Sequence, residues 1–134
     1  MEIYALENDI NVFCAKAKSF PEGVLEAHQQ LHTIIPFSNQ RRYFGISRPE
    51  KGTIEYWAAA EELNQEEAEK YNCDSSVISK GKYIGVEVKN YIKNIEEIGK
   101  AFNKLISCEG IDPNGYCVEY YLNDEDVRCM IRLQ

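Results

Sequence analysis

The chain has 134 residues, 44% of them apolar and 28% charged, and its 22 acidic and 15 basic side chains leave a net charge of −7. That length predicts one folding unit with a core of its own, and no run approaches the roughly 18 apolar residues of a membrane-spanning helix. With Arg41-Arg42 as the one locally basic pair, the acidic balance speaks against direct nucleic-acid binding, which relies on Lys and Arg meeting phosphates.

Acidic residues stand near the N-terminus where a signal peptide would carry Lys or Arg, which predicts a cytoplasmic protein with no membrane partner. The five cysteines are odd in number and form no C-x-x-C pair. They read as reduced, mostly buried thiols rather than a disulfide framework or a zinc site.

Residues Ile3 to Lys18 carry apolar patches around the turn-like Glu7-Asn8-Asp9 and predict one strand with a bend. Pro21 sits where a first helical turn tolerates a missing N–H. Val24, His28, Leu31 and Ile35 then recur at helical spacing until Pro36, which ends the helix. His28 and His32 have the spacing of two metal ligands on one helical face. No third ligand accompanies them and His28 lies in the apolar stripe, so no metal or other cofactor is expected.

Arg42 to Arg48 and Thr53 to Ala60 form a hairpin around Pro49-Glu-Lys-Gly52. Tyr43 lies on one face of its first arm, and Trp57 shares a face with Glu55 on its second. Glu61 to Tyr71 is acidic and reads as a solvated linker with a helical turn or two and no chemistry. Val77-Ile78 and Tyr83 to Lys89 return to strand, with Tyr83, Glu87 and Lys89 opposite Ile84, Val86 and Val88. Asn94 with Glu97 forms a capping box for a second helix whose stripe is Ile95, Ile98, Phe102 and Leu105, closed by Gly110. A last hairpin, Tyr116 to Leu122 and Arg128 to Leu133, flanks Asn123 to Asp126.

The order strand, helix, hairpin occurs twice, over about 1–60 and 75–134. This predicts an α+β fold of tandem β-α-β-β modules, an antiparallel sheet with two helices on one face and a ligand pocket on the other. In the final hairpin Val118, Tyr120 and Leu122 share the face expected to meet the helices, which leaves Glu119 and Tyr121 on the open face. Together with Tyr43, Trp57 and Tyr83, they would form an aromatic and acidic concave surface suited to a flat cation.

Three segments then carry a family resemblance: Arg42-Tyr-Phe-Gly-Ile-Ser47, Ser79-Lys-Gly-Lys-Tyr-Ile-Gly-Val86 and Cys117-Val-Glu-Tyr-Tyr-Leu-Asn-Asp124. In their order and spacing around two helices, they resemble the GyrI-like small-molecule-binding domain. That domain is also the effector-binding part of AraC-type and MerR-type multidrug regulators. The resemblance spans the chain and implies a stand-alone module for hydrophobic, cationic compounds, in transcription regulation or in a drug or toxin response. It implies Glu119 as the pocket carboxylate, with Tyr121, Trp57, Tyr43 and Tyr83 as ligand-binding neighbours. No helix-turn-helix accompanies these segments, and the chain ends in Met-Ile-Arg-Leu-Gln134 without the proline common there. A branch of the family resembles hydrolases of reactive hydrophobic compounds, which would give Glu119 a water to activate.

Two other readings stand beside the binding module: such a hydrolase, and a protein-binding inhibitory or sequestering module with a protein partner. No catalytic residue is assigned, because both histidines lie on the first helix and no Ser-His-Asp or Cys-His constellation can be drawn.

Overall fold

The computed structural model describes residues 1–134. Eight strands form a single sheet: β1 (Glu2–Leu6), β2 (Ile10–Lys16), β3 (Tyr43–Glu50), β4 (Thr53–Glu61), β5 (Asp74–Ile78), β6 (Gly81–Val88), β7 (Cys117–Tyr121) and β8 (Val127–Arg132). Helices α1 (Val24–Ile34) and α3 (Glu96–Ile106) are joined by the short α2 (Glu66–Tyr71), and all sheet pairings are antiparallel. The strand order is β1-β6-β8-β7-β3-β4-β2-β5. Exchanging β1 with β5, β2 with β6, β3 with β7 and β4 with β8 reproduces that order reversed, so the architecture is two-fold symmetric about the β3–β7 contact.

The stretch Ile3 to Lys18 is therefore two strands and not one bent strand. A corner at Glu7–Asp9 sends β1 to one end of the sheet and β2 to a place near the other. In a flat sheet, β1 and β2 would lie about 29 Å apart at ~4.8 Å per strand. The link between them can reach only about half that distance at ~3.5 Å per residue. The sheet has to curl until its ends meet, and the Lys80 amide seals the meeting point by donating to Asp9 Oδ1 at 2.8 Å.

The curl closes toward the helix-free face. There Ile10 and Ile78, from the far strands, share one cluster with Phe44, Ile46 and Val118 from the middle, all at most 3% exposed. Each such side chain contributes roughly 1.5–3 kcal/mol of burial. A cavity of about 40 Å³ remains on that side among Tyr4, Leu6, Phe44, Tyr120 and Met130. The concave face is thus a packed core, and the expected ligand pocket is not on it.

On the convex face, α1 lies over β4 and β2, and α3 over β8 and β6. The helix α1 begins at Val24, after a turn containing Pro21, and ends where Ile35 turns extended at φ −114° and ψ 114°, as a residue before proline must. Ahead of α3, Asn90 takes φ 51° and leads into a 3₁₀ turn over Tyr91–Lys93. The expected capping box does not form: α3 has no side-chain cap, and Asn94 Nδ2 instead donates to the Asn90 carbonyl at 3.2 Å. Gly110, expected to close the helix, does not: α3 ends at Ile106 with Ser107 as its cap, and Gly110 at φ 82° belongs to the turn beyond.

The acidic linker also differs from its expectation. Glu67 is buried against Arg41, with bonds of 3.1 and 2.8 Å, and accepts the Leu63 amide at 2.6 Å. Glu61 holds Arg42 at 2.7 Å. Two of its carboxylates therefore clamp the start of β3, and only the remainder is solvated face. Among the free cysteines, Cys14 and Cys129 are buried, while Cys73, Cys108 and Cys117 are half-buried. No helix is long and apolar enough to cross a membrane.

Candidate functional site

Both helices pack mainly on the outer strands, and single side chains such as His28 reach over the central pair β3 and β7. β3 and β7 form the floor of a cleft between α1 and α3, and Gly45 stands directly opposite Glu119 at its middle. Register decides what else lines the cleft. The hairpin β3–β4 turns through Lys51 and Gly52 at φ 51° and 84°, both left-handed as a two-residue turn of this kind requires. Its register places Tyr43 opposite Ala60 and Ile46 opposite Trp57. Directly opposed residues share a face, so Tyr56, Ala58 and Ala60 join Tyr43 on the helical face, while Trp57 and Glu55 fall on the other. Across β7 and β8 the same count puts Cys117, Glu119, Tyr121 and Cys129 on the helical face.

The residues picked from sequence are thereby divided. Glu119 and Tyr121 come together, and Tyr43 is the cross-strand partner of Tyr121 on the same face. The Tyr43 hydroxyl accepts the Ser38 amide at 3.0 Å, and its ring stacks on Phe37 at 5.4 Å. Trp57 and Tyr83 are on the opposite side of the sheet. Trp57 packs edge-on against Tyr116 at 6.1 Å under the Lys16 ammonium. Tyr83 is 3% exposed, and its hydroxyl donates to the Ser79 carbonyl at 2.6 Å. Glu119 and Tyr121 were expected on the helix-free face. They occupy the helical face because Val118 and Tyr120 point into the closed side of the curl.

At the cleft floor, the Tyr121 hydroxyl donates to Glu119 Oε1 at 2.6 Å, and the Tyr56 hydroxyl reaches the same oxygen at 3.4 Å. The two phenol oxygens are 3.2 Å apart, and His28 Nε2 lies 2.8 Å from that of Tyr56. Each phenol has one proton to give. When His28 carries its proton on Nε2 it donates to Tyr56, which passes its own proton toward the carboxylate; in the other tautomer Tyr56 donates to His28.

Gly45 is what leaves room for this assembly. A Cβ there would stand 2.7 Å from Tyr56 Cζ and 3.1 Å from Glu119 Oε1.

Burial dominates the electrostatics. It raises the Glu119 carboxyl above the ordinary carboxylate range, and the hydroxyls of Tyr121 and Tyr56 pull it partly back. Burial, helped by the nearby His32, lowers the His28 imidazole to about 4, so it is neutral at pH 7. Burial and the Glu119 charge push both phenols upward. The Cys117 and Cys129 thiols rise to about 11 and about 12 for the same reasons, which makes them poor nucleophiles.

No Lys or Arg pairs with Glu119. Aromatic rings flank it instead. Phe20 stacks on Tyr56 at 5.8 Å, Tyr91 meets Tyr121 at 5.5 Å, and His28 stands edge-on to Tyr121 at 5.4 Å. Phe20 and Tyr91 hold equivalent places, each just ahead of its helix. A separate groove of about 250 Å³ beside α3, lined by Lys89, Asn94, Lys100 and Lys104, contains none of these groups.

The sequence does not mark Tyr56, Gly45, Phe20 or Tyr91 as site residues, and it raises His28 only through its metal-ligand spacing to His32. A signal existed for His28, a titratable residue inside an apolar helical stripe. Tyr56 was hidden by the turn length that fixes its face.

No family model and no curated protein matches the chain. Among solved structures it is similar to an integron cassette protein from the mobile metagenome of Vibrio cholerae, with a TM-score of 0.73 and 13% identity over 99% of this chain and 95% of that one. It is also similar to a hydrolase from Listeria innocua, with a TM-score of 0.57 and 10% identity over 99% of this chain and 90% of that one. At these identities the likeness is one of fold: a curled antiparallel sheet with helices on one face.

Proposed function

We propose that this chain is a binding module for hydrophobic small molecules that carry a positive charge, and that the cleft between α1 and α3 is where they bind. One observation carries the reading. A carboxylate 8% exposed sits in a cleft walled by aromatic rings, held by two phenol hydroxyls and by no cation of the protein. An unpaired buried charge is costly, and a cationic ligand would supply the missing partner. Rings such as Phe20 and Tyr91 would add about 0.5–2 kcal/mol per cation contact. The resemblance to the GyrI-like domain implies the same ligand class and the same glutamate, and it places such a module in transcription regulation or a drug or toxin response.

Ligand that binds only the native state adds stability by mass action, about 2.7 kcal/mol at a hundred times its Kd, and so raises the melting midpoint. A panel of lipophilic cations and size-matched neutral compounds is expected to raise it with cations only, and Glu119→Gln to abolish that rise. Equal responses to cations and neutrals would remove the charge role. No response to any compound would turn attention to a protein partner.

A further inference from the structure

We infer that the ligand of this cleft is an amine that keeps an N–H on its charged nitrogen, and that the site discriminates against quaternary ammonium ions of the same shape. The inference rests on the cation-binding reading above and narrows it.

The two oxygens of Glu119 are not equivalent. Both phenol hydroxyls converge on Oε1, and Oε2 receives no hydrogen bond from the protein. The fully enclosed side-chain polar atoms without a partner are Arg41 Nε, Arg48 Nε and Arg128 Nε. Glu119 Oε2 is not among them, so this oxygen is not fully enclosed. It is a carboxylate oxygen that accepts no hydrogen bond from the protein.

None of the groups around it is a cation, and none donates to Oε2. α1 presents His28, whose Nε2 is engaged with Tyr56, and β4 presents Tyr56. β7 presents Cys117 and Tyr121, β8 presents Cys129 opposite Glu119, and the turn before α3 presents Tyr91. None of these is a lysine or an arginine. An ammonium N–H can donate to Oε2 along the lone-pair direction, forming a short charge-assisted bond. A quaternary nitrogen is sheathed in carbon. It can lie near the charge but leaves Oε2 without a donor in a desolvated place, the situation that costs most in hydrogen bonding. The ring faces of Phe20 and Tyr91 would serve both ligands equally, so the difference between them isolates the oxygen.

The bound pair is also insensitive to where its proton sits. An ammonium on a carboxylate and a neutral amine on a carboxylic acid contain the same atoms and the same net charge. Entry of the ammonium ion or of the quaternary ion onto a protonated Glu119 releases one proton in either case, so the comparison between them isolates the N–H donor.

The probes are N,N-dimethyl-1-(naphthalen-2-yl)methanamine, protonated at pH 7, and its N,N,N-trimethylammonium counterpart, titrated calorimetrically into the intact protein. The amine is expected to bind at least about ten-fold more tightly, roughly 1.4 kcal/mol, and Glu119→Gln is expected to bring the ratio close to one. Equal or tighter binding of the quaternary probe to the unmodified protein would overturn the inference while leaving cation binding intact. Failure of both probes, in a protein that also ignores the cation panel, would overturn the underlying reading. The decisive comparison uses the unmodified protein and does not depend on a variant folding.

Discussion

Two buried carboxylates on this molecule have opposite surroundings. Glu67 is fastened to Arg41 by two hydrogen bonds, and their side chains are 12% and 4% exposed. Glu119 is buried with phenols alone. The hydrogen bonds from Arg41 hold Glu67 below the ordinary carboxylate range, while burial lifts Glu119 above it. The first carboxylate is satisfied from within and fixes α2 against the start of β3. The second is satisfied only in part and faces a cleft, which is how a site differs from a clamp.

The contrast breaks most severely if the clamp loses its cation. Arg41→Ala leaves Glu67 buried and unpaired, with an expected loss of about 3–5 kcal/mol and a fall in Tm on the order of 10 °C, read by calorimetry. A loss below about 1 kcal/mol would show that the pair is solvated and that the two carboxylates differ less than their surroundings imply.

A smaller effect follows from filling the gap beneath Glu119. Gly45→Ala drives a methyl into the Tyr56 ring and toward Glu119 Oε1, 2.7 and 3.1 Å from its Cβ. It is expected to cost about 1–3 kcal/mol, as overpacking does, and to weaken cation binding alongside. Normal stability with unchanged binding would mean that Tyr56 moves aside freely.

The gentlest test sharpens the comparison through pH. A carboxyl raised on folding gives stability that is present below its ordinary pKa and lost as pH rises through the folded one. Glu67, lowered on folding, behaves the opposite way and loses its contribution as pH falls. Urea midpoints of the wild type and Glu119→Gln, followed from acid toward neutral pH, should therefore diverge. The wild type should lose ground as pH climbs from the ordinary glutamate value to the raised one. His28 titrates in both proteins and cancels in their difference. Parallel curves would show that Glu119 is not raised.

Much of this molecule is legible in its sequence, because helical stripes and alternating strands report burial directly. The stripe from Val24 to Ile35 and that from Ile98 to Leu105 specify α1 and α3, although Ile95, expected in the second stripe, is 58% exposed, and a glutamate between tyrosine-bearing strand positions singles out Glu119 before any fold is known. What stays hidden depends on pairing between distant segments. The face of a strand relative to its neighbour follows from turn length, and one residue more or less in the Lys51-Gly52 turn would reverse the grouping of Tyr43, Tyr56 and Trp57. The passage of Glu7–Asp9 from one end of the sheet to the other has no local signal at all. Nor does the pairing of Arg41 with Glu67 across 26 residues, which makes an acidic run look merely solvated.

The exchange of first strands carries a consequence for how the chain reaches its native state. β1 is completed only by β6, pairing Glu2 with Gly85, and β5 only by β2, pairing Ile78 with Ile10. Neither half can finish its own four-stranded layer before the other has been made, so the last pairings close across most of the chain. Contacts of such long sequence separation slow folding and bind the halves into one cooperative transition. The cleft at their seam then exists only when both halves are complete, and a half-folded chain would present neither Glu119 nor its tyrosines as a unit.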